Sequence, residues 1–239
     1  MRARAAYWAL TACMDRLIGQ ILQALDDNDL ADDTLVVYSS DHGDMVGERG
    51  LWMKRCFYEP SAKVPAILRW PGELPAGRRC DRVLSALDLN ATMLAALGAP
   101  ALPGSHGRDA RTLLRGESHD WEDEALSEYA LQEGIVQRMV RRERWKLIYH
   151  WHQPAQLFDL HEDPQERQDR AADPACAQVV EELTARVFAD GWDPESVALT
   201  LARKQRDTAL VRAAAQQCPP EEPYRWAMDK AWTYSDGEA

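Results

Sequence analysis

Apolar side chains fall at Tyr7, Leu10, Met14, Leu17, Ile18, Ile21, Leu22 and Leu25. This spacing predicts an amphipathic helix over residues 5–26 with one buried stripe. Asp26-Asp27-Asn28-Asp29 stops it, because short polar side chains favour turns and acids sit badly at a helix C-terminus. From Thr34 to Ser39 the apolar residues are consecutive, which predicts a strand buried on both faces. Pro65-Ala66-Ile67-Leu68-Arg69-Trp70 predicts a second short strand, ended by Pro71-Gly72. Asp88 is placed as the cap of a helix through Leu97, with Gly98 just past its end. Helix, strand, loop, strand, helix predicts an α/β unit with a parallel sheet.

The pattern changes near residue 100. Residues 99–116 are rich in proline and glycine and read as loop. Beyond them, Leu126 to Ala130, Ile135 to Arg142, Trp145 to His150 and Gln156 to Leu160 predict four short strands at hairpin spacing. Pro174 to Phe188 predicts an amphipathic helix. Together they predict a small α+β unit, an antiparallel sheet backed by one helix. A helix over about 195–215 and an extended tail with aromatics at Tyr224 to Trp232 follow. The expected division is 1–118, 119–190 and 191–239.

Composition narrows the function. The chain has 239 residues, 46% of them hydrophobic, enough for one large domain or two modest ones. A net charge of −11 disfavours nucleic acid and anionic membranes as partners. In so acidic a chain the basic run from Arg138 to Lys146, with Arg141, Arg142 and Arg144, reads as a solvated strand face. No apolar run reaches the roughly 18 residues of a spanning helix. Met14, Asp15 and Arg16 interrupt the N-terminal apolar stretch, so no secretory signal is expected. The five cysteines, at 13, 56, 80, 176 and 218, form no C-x-x-C pair. They read as reduced thiols in a cytoplasmic protein.

The chemistry concentrates in residues 35–54, LVVYSSDHGDMVGERGLWMK. Asp41 and His42 follow a predicted strand end, where ligands sit in open α/β sheets. A carboxylate and an imidazole there can hold a divalent cation, or can be a turn residue beside an ordinary histidine. Lys54 closes the loop and can neutralise an anion. Asp44, Glu48 and Arg49 fill the same loop, the last two reading as a solvated ion pair. His150 and His152 would share one face of a strand, either as a second metal site or, by preference, as a polar sheet edge. His106, His119 and His161 stand alone, and Cys56 reads as packing.

The stretch resembles the sulfatase branch of the alkaline-phosphatase-like hydrolases, with spacing nearest to choline sulfatases and phosphonate monoester hydrolases. In that family a D-[HN]-G turn binds metal, and a lysine further on grips the sulfate. The likeness extends to Tyr7-Trp8-Ala9 through Gly19, to Tyr58 through Pro65, to Arg141 through Lys146, and to Gln156-Leu157-Phe158-Asp159-Leu160 with Asp163-Pro164. The resemblance implies a partial alkaline-phosphatase-like parallel sheet with flanking helices. It assigns Asp41 and His42 to one Ca²⁺ or Mn²⁺, Lys54 to the sulfate, a small-molecule sulfate ester as substrate, and Asp44 to support of the metal turn. It also exposes a departure. No cysteine lies in the C-x-P-x-R motif that yields the formylglycine nucleophile, and the family's earlier metal aspartates are missing. The chain is therefore expected to match the C-terminal half of a sulfatase, to be inactive alone, and to need a complementing N-terminal segment or a homo-oligomer. Phosphonate or phosphodiester hydrolysis and a non-catalytic assembly module are the alternatives.

Overall fold

The computed structural model describes residues 2–117, 120–131 and 134–217. The aromatic cluster from Tyr224 to Trp232, His119 and Cys218 lie outside the described residues. The chain opens with helix α1 (Arg2–Asp27) and strand β1 (Val36–Ser39), then runs through a long loop and the one-turn α2 (Glu59–Ala62) to β2 (Ala66–Arg69). Helices α3 (Ala86–Ala96) and α4 (Arg111–Arg115) follow. The second part holds β3 (Glu124–Leu131), β4 (Ile135–Arg142), β5 (Trp145–His150), β6 (Gln153–Asp159), α5 (Ala177–Val187) and α6 (Pro194–Gln217).

The predicted parallel sheet is corrected. β1 and β2 pair antiparallel, with Val36 opposite Arg69 and Ser39 opposite Ala66. A parallel neighbour needs a crossover, usually a full helix. The connection here contains only a 3-10 turn at Glu48–Gly50 and the one-turn α2, and β2 runs back beside β1. The expected burial of this part is corrected too. α1 forms where its periodicity predicts, but none of its residues is buried. Ile18, Leu22 and Leu25 are half-buried, while Tyr7, Leu10, Met14, Leu17 and Ile21 lie open on another stripe. β1 is half-buried at Val36 and Val37 and exposed at Tyr38 and Ser39. Periodicity marks which face of an element is apolar; it does not supply the layer that covers it.

α3 is capped by Ser85, three residues before the expected cap. Ser85 accepts a hydrogen bond from the Asp88 N–H while the Asp88 side chain accepts from the Ser85 N–H, a reciprocal capping box. Asp88 is thereby a residue of the first turn, and it also accepts from the Arg108 backbone N–H at 2.8 Å. Gly98, at φ 67°, ends the helix in the left-handed conformation a Cβ disfavours. α4 lies within the stretch read as loop.

The four-stranded antiparallel sheet follows its hairpin signals, in the order β3-β4-β5-β6. β6 begins at Gln153 and includes Pro154, which an edge strand tolerates because one row of its N–H groups has no ladder partner. Val140, Leu147 and Leu157 on one face pack against Cys176, Leu183 and Val187 beneath α5. Met139, Ile148 and Phe158 on the other pack against Phe57, Tyr58 and Ala62. Each fully buried aliphatic side chain contributes about 1.5–3 kcal/mol. The second face therefore seats the segment directly after Lys54.

The basic run is a solvated face only in part: Arg142 and Arg144 are exposed, but its two ends are not. Arg138 and Lys146 are buried. Arg138 donates to both oxygens of Asp190, at 2.7 and 2.5 Å, and to the Val187 carbonyl at 2.8 Å. Lys146 is fully buried; its ammonium donates to the Phe57 carbonyl at 2.7 Å and to Glu59 Oε1 at 2.8 Å, and forms an ion pair with the Glu166 carboxylate. Glu166 is itself buried and accepts the Glu59 N–H at 2.7 Å. Two predictions follow from these pairs. Lys146→Met leaves Glu166 buried without its cation, so urea unfolding should show a loss of about 3–5 kcal/mol. Adding Glu166→Gln should recover part of it, which the double variant measures. Separately, the guanidinium of Arg138 holds the Asp190 carboxyl at about 2, below its ordinary 3.8. A depressed carboxyl stabilises the fold above about pH 4 and loses that contribution as pH falls toward about 2. The wild type should accordingly lose stability more steeply than Asp190→Asn over that window, read by tryptophan fluorescence in urea.

Candidate functional site

β1 ends at Ser39, and the chain turns sharply through Ser40, Asp41 and His42. Ser40 Oγ donates to the His42 carbonyl at 2.8 Å, and Asp41 Oδ1 accepts the His42 N–H at 3.0 Å. These short contacts fix the turn locally. Gly43 then donates its N–H to the Ser61 carbonyl at 2.8 Å. A Cβ at Gly43 would run into the Pro60 carbonyl oxygen, so a residue with no side chain is required there.

The turn brings Asp41, His42 and Lys54 together. His42 Nδ1 lies 2.8 Å from the Gly43 carbonyl. A carbonyl only accepts, so Nδ1 carries the proton and the Nε2 lone pair faces outward. Lys54 Nζ lies 2.5 Å from Nε2, and Asp41 Oδ2 lies 3.2 Å from it. Burial alone would raise the Asp41 carboxyl, but the His42 N–H and the nearby Lys54 ammonium help to hold it below its usual range. The Asp41 side chain is 81% exposed, leaving its outer edge accessible to further groups.

The loop between turn and lysine is held from three sides. Asp44 Oδ1 accepts the Val46 N–H at 2.8 Å and the Met53 N–H at 3.1 Å. Arg4 of α1 donates to the Val46 carbonyl at 2.7 Å and pairs with Glu48 at 3.1 Å. Arg49 lies 4.2 Å over the Tyr58 ring and donates to the Gln165 carbonyl at 3.0 Å. Glu48 and Arg49 therefore find separate partners, not each other. Val46, Arg49, Met53 and Arg55 all have positive φ, between 45° and 99°. Such conformations cost on the order of 1–3 kcal/mol each at non-glycine residues and persist where the surroundings over-determine them. No local signal marked Arg4, whose partners lie more than forty residues away.

The two-histidine reading of β5 is corrected. The strand ends at His150, and His152 sits in the following turn at φ 61°, its ring 4.1 Å from that of Trp151. His150 Nε2 instead contacts Gln156 Oε1 at 3.2 Å. Among the described residues, Cys13, Cys56, Cys80 and Cys176 are free thiols.

A family model described as "N-sulphoglucosamine sulphohydrolase, C-terminal" matches residues 47–190, more than half of the chain. The chain belongs to this sulfatase family. It is 34% identical over 203 residues to a choline-sulfatase of Rhizobium meliloti, covering 82% of this chain and 38% of that protein. It is 35% identical over 175 residues to human arylsulfatase K, covering 68% and 32%. Its fold matches the crystal structure of a phosphonate monoester hydrolase of Agrobacterium radiobacter with a TM-score of 0.71 at 30% identity, covering 78% and 40%. The sulfatase chain thus spans about two-fifths of the choline-sulfatase and of that hydrolase, and about a third of arylsulfatase K.

Sulfatase-family membership implies a divalent metal, and the donor set fits one in part. Asp41 Oδ2 and the His42 Nε2 lone pair lie 3.2 Å apart, near enough to share one cation, and the Gly43 carbonyl fixes the imidazole from behind. Among the described residues no cluster of three or more such ligands forms. The Lys54 ammonium also uses the same nitrogen, and one lone pair serves a proton or a metal, not both. Gly43→Ala tests the turn: the clash with Pro60 should displace Asp41 and His42 and cost about 1–3 kcal/mol, seen as shifted amide resonances over 40–62 and a lower urea midpoint.

Proposed function

We propose that this chain supplies part of the site of a metal-dependent sulfuric ester hydrolase. Asp41 and His42 supply two ligands of a divalent cation, Ca²⁺ or Mn²⁺, and Lys54 binds the sulfate. The bound cation would act as a Lewis acid toward the sulfuryl oxygens. Lys54 would neutralise charge on those oxygens and on the leaving oxygen as its bond breaks. The nucleophile and the remaining ligands would come from a segment outside these 239 residues, and the substrate would be a small sulfate ester. The observation that carries the reading is that one turn and its loop bring Asp41, His42 and Lys54 together within a sulfatase-family chain, Lys54 holding in the metal-free chain the His42 Nε2 lone pair that a cation would take from it. The choline-sulfatase and arylsulfatase K relatives support it.

A second reading, hydrolysis of phosphonate or phosphodiester substrates, draws on the phosphonate monoester hydrolase neighbour. The same cation and lysine suit either tetrahedral anion.

The purified chain should give no turnover of 4-nitrophenyl sulfate with added Mn²⁺ or Ca²⁺, because covalent sulfate transfer needs an activated nucleophile. Joined to a complementing segment that carries a C-x-P-x-R motif, it should hydrolyse the ester in a metal-dependent way. Lys54→Met should then lower kcat by about 10²-fold or more. Turnover by the chain alone, or a complemented enzyme indifferent to Lys54, would overturn the assignment. A parallel assay with a phosphonate monoester decides between the two substrate classes.

A further inference from the structure

We infer that Asp44 is a positioning residue for Lys54, acting through the loop backbone; the inference rests on the reading that Lys54 grips the anion. A single oxygen, Asp44 Oδ1, accepts the N–H of Val46 at 2.8 Å and of Met53 at 3.1 Å. The carboxylate therefore spans both arms of the loop, and its second contact falls on the residue immediately before Lys54. The adjacent Met45 donates its N–H to the Met53 carbonyl at 2.8 Å, and its side chain is fully buried. Met45 is thus the anchor from which the clamp works.

Both donors sit in the left-handed region, Val46 at φ 45° and Met53 at φ 64°. L-residues avoid that region, a β-branched one most of all. An acceptor that binds both N–H groups supplies the outside restraint these conformations need. Arg4 and Arg49 hold other parts of the loop, at Val46, Glu48 and Arg49 itself. The Asp44 bond to Met53 fixes the backbone from which the lysine side chain departs, and that backbone carries Nζ to His42.

The clamp needs an oxygen acceptor, not a charge. An amide oxygen in the same place accepts the same two N–H groups, whereas a metal-binding or ion-pairing role would require the carboxylate. The test uses the full 239-residue chain, metal-free, with lysine and histidine side chains isotope-labelled. The nuclear Overhauser contact between the Lys54 Hε protons and His42 Hε1 is the readout, with Met53 amide exchange measured beside it. Wild type and Asp44→Asn should both show the contact. Asp44→Ala should lose it and exchange the Met53 amide at least tenfold faster, while the resonances of β3 to β6 stay in place. A contact retained in Asp44→Ala, or lost in Asp44→Asn, overturns the inference. Where Asp44→Ala does not fold, Asp44→Asn and the wild-type amide decide: a Met53 amide exchanging at the rate of an open loop overturns it as well. Adding Mn²⁺ to the wild type tests the metal reading separately. Failure to broaden the His42 resonances would sink that reading and leave the metal-free contact as measured.

Discussion

An ammonium group with three hydrogens, enclosed by three acceptors, joins the two parts of this molecule. Lys146 leaves β5, is fully buried, and meets a carbonyl and a carboxylate from Phe57 and Glu59 together with the buried Glu166. The desolvation of such a cation is offset only by close ion pairing together with hydrogen bonds. The segment carrying Phe57 and Glu59 is therefore fixed against the small sheet, and the apolar contacts of Phe57 and Tyr58 with Ile148 and Phe158 seal the join. Lys54 lies three residues before Phe57. Its placement beside His42 depends on a sheet more than eighty residues further along the chain.

The small sheet was legible because its information is local. Ile135–Arg142 and Trp145–His150 are bounded in the structure as their alternation and turns predict. The first part misled for two physical reasons. Consecutive apolar residues in β1 look like a strand covered on both sides, but cover is a property of neighbours. The direction of β2 depends on the crossover that precedes it, and a run of loop residues does not declare whether it returns along the sheet. Arg138 and Lys146 look like any basic residues on strands, since their partners lie from about twenty to about ninety residues away.

The candidate site divides along the same line. Asp41, His42 and Lys54 were marked by residue type and by spacing within one loop, and the structure places them in contact. The supports around them were not marked. Gly43 tells by its type that a side chain is excluded, but not that the obstacle is the Pro60 carbonyl. Arg4 and the carbonyl of Gln165 act on the loop from distant parts of the chain. Charge and type can name groups that do chemistry; what holds them is a matter of tertiary contact.

α1 carries a consequence of another kind. Tyr7, Leu10, Met14, Leu17 and Ile21 recur at alternating intervals of three and four and stand open to water. A ridge of that spacing is what one helix offers another in a coiled-coil seam, and large exposed apolar patches favour association over solubility. Any element that takes this ridge out of water must bring an apolar face of the same period.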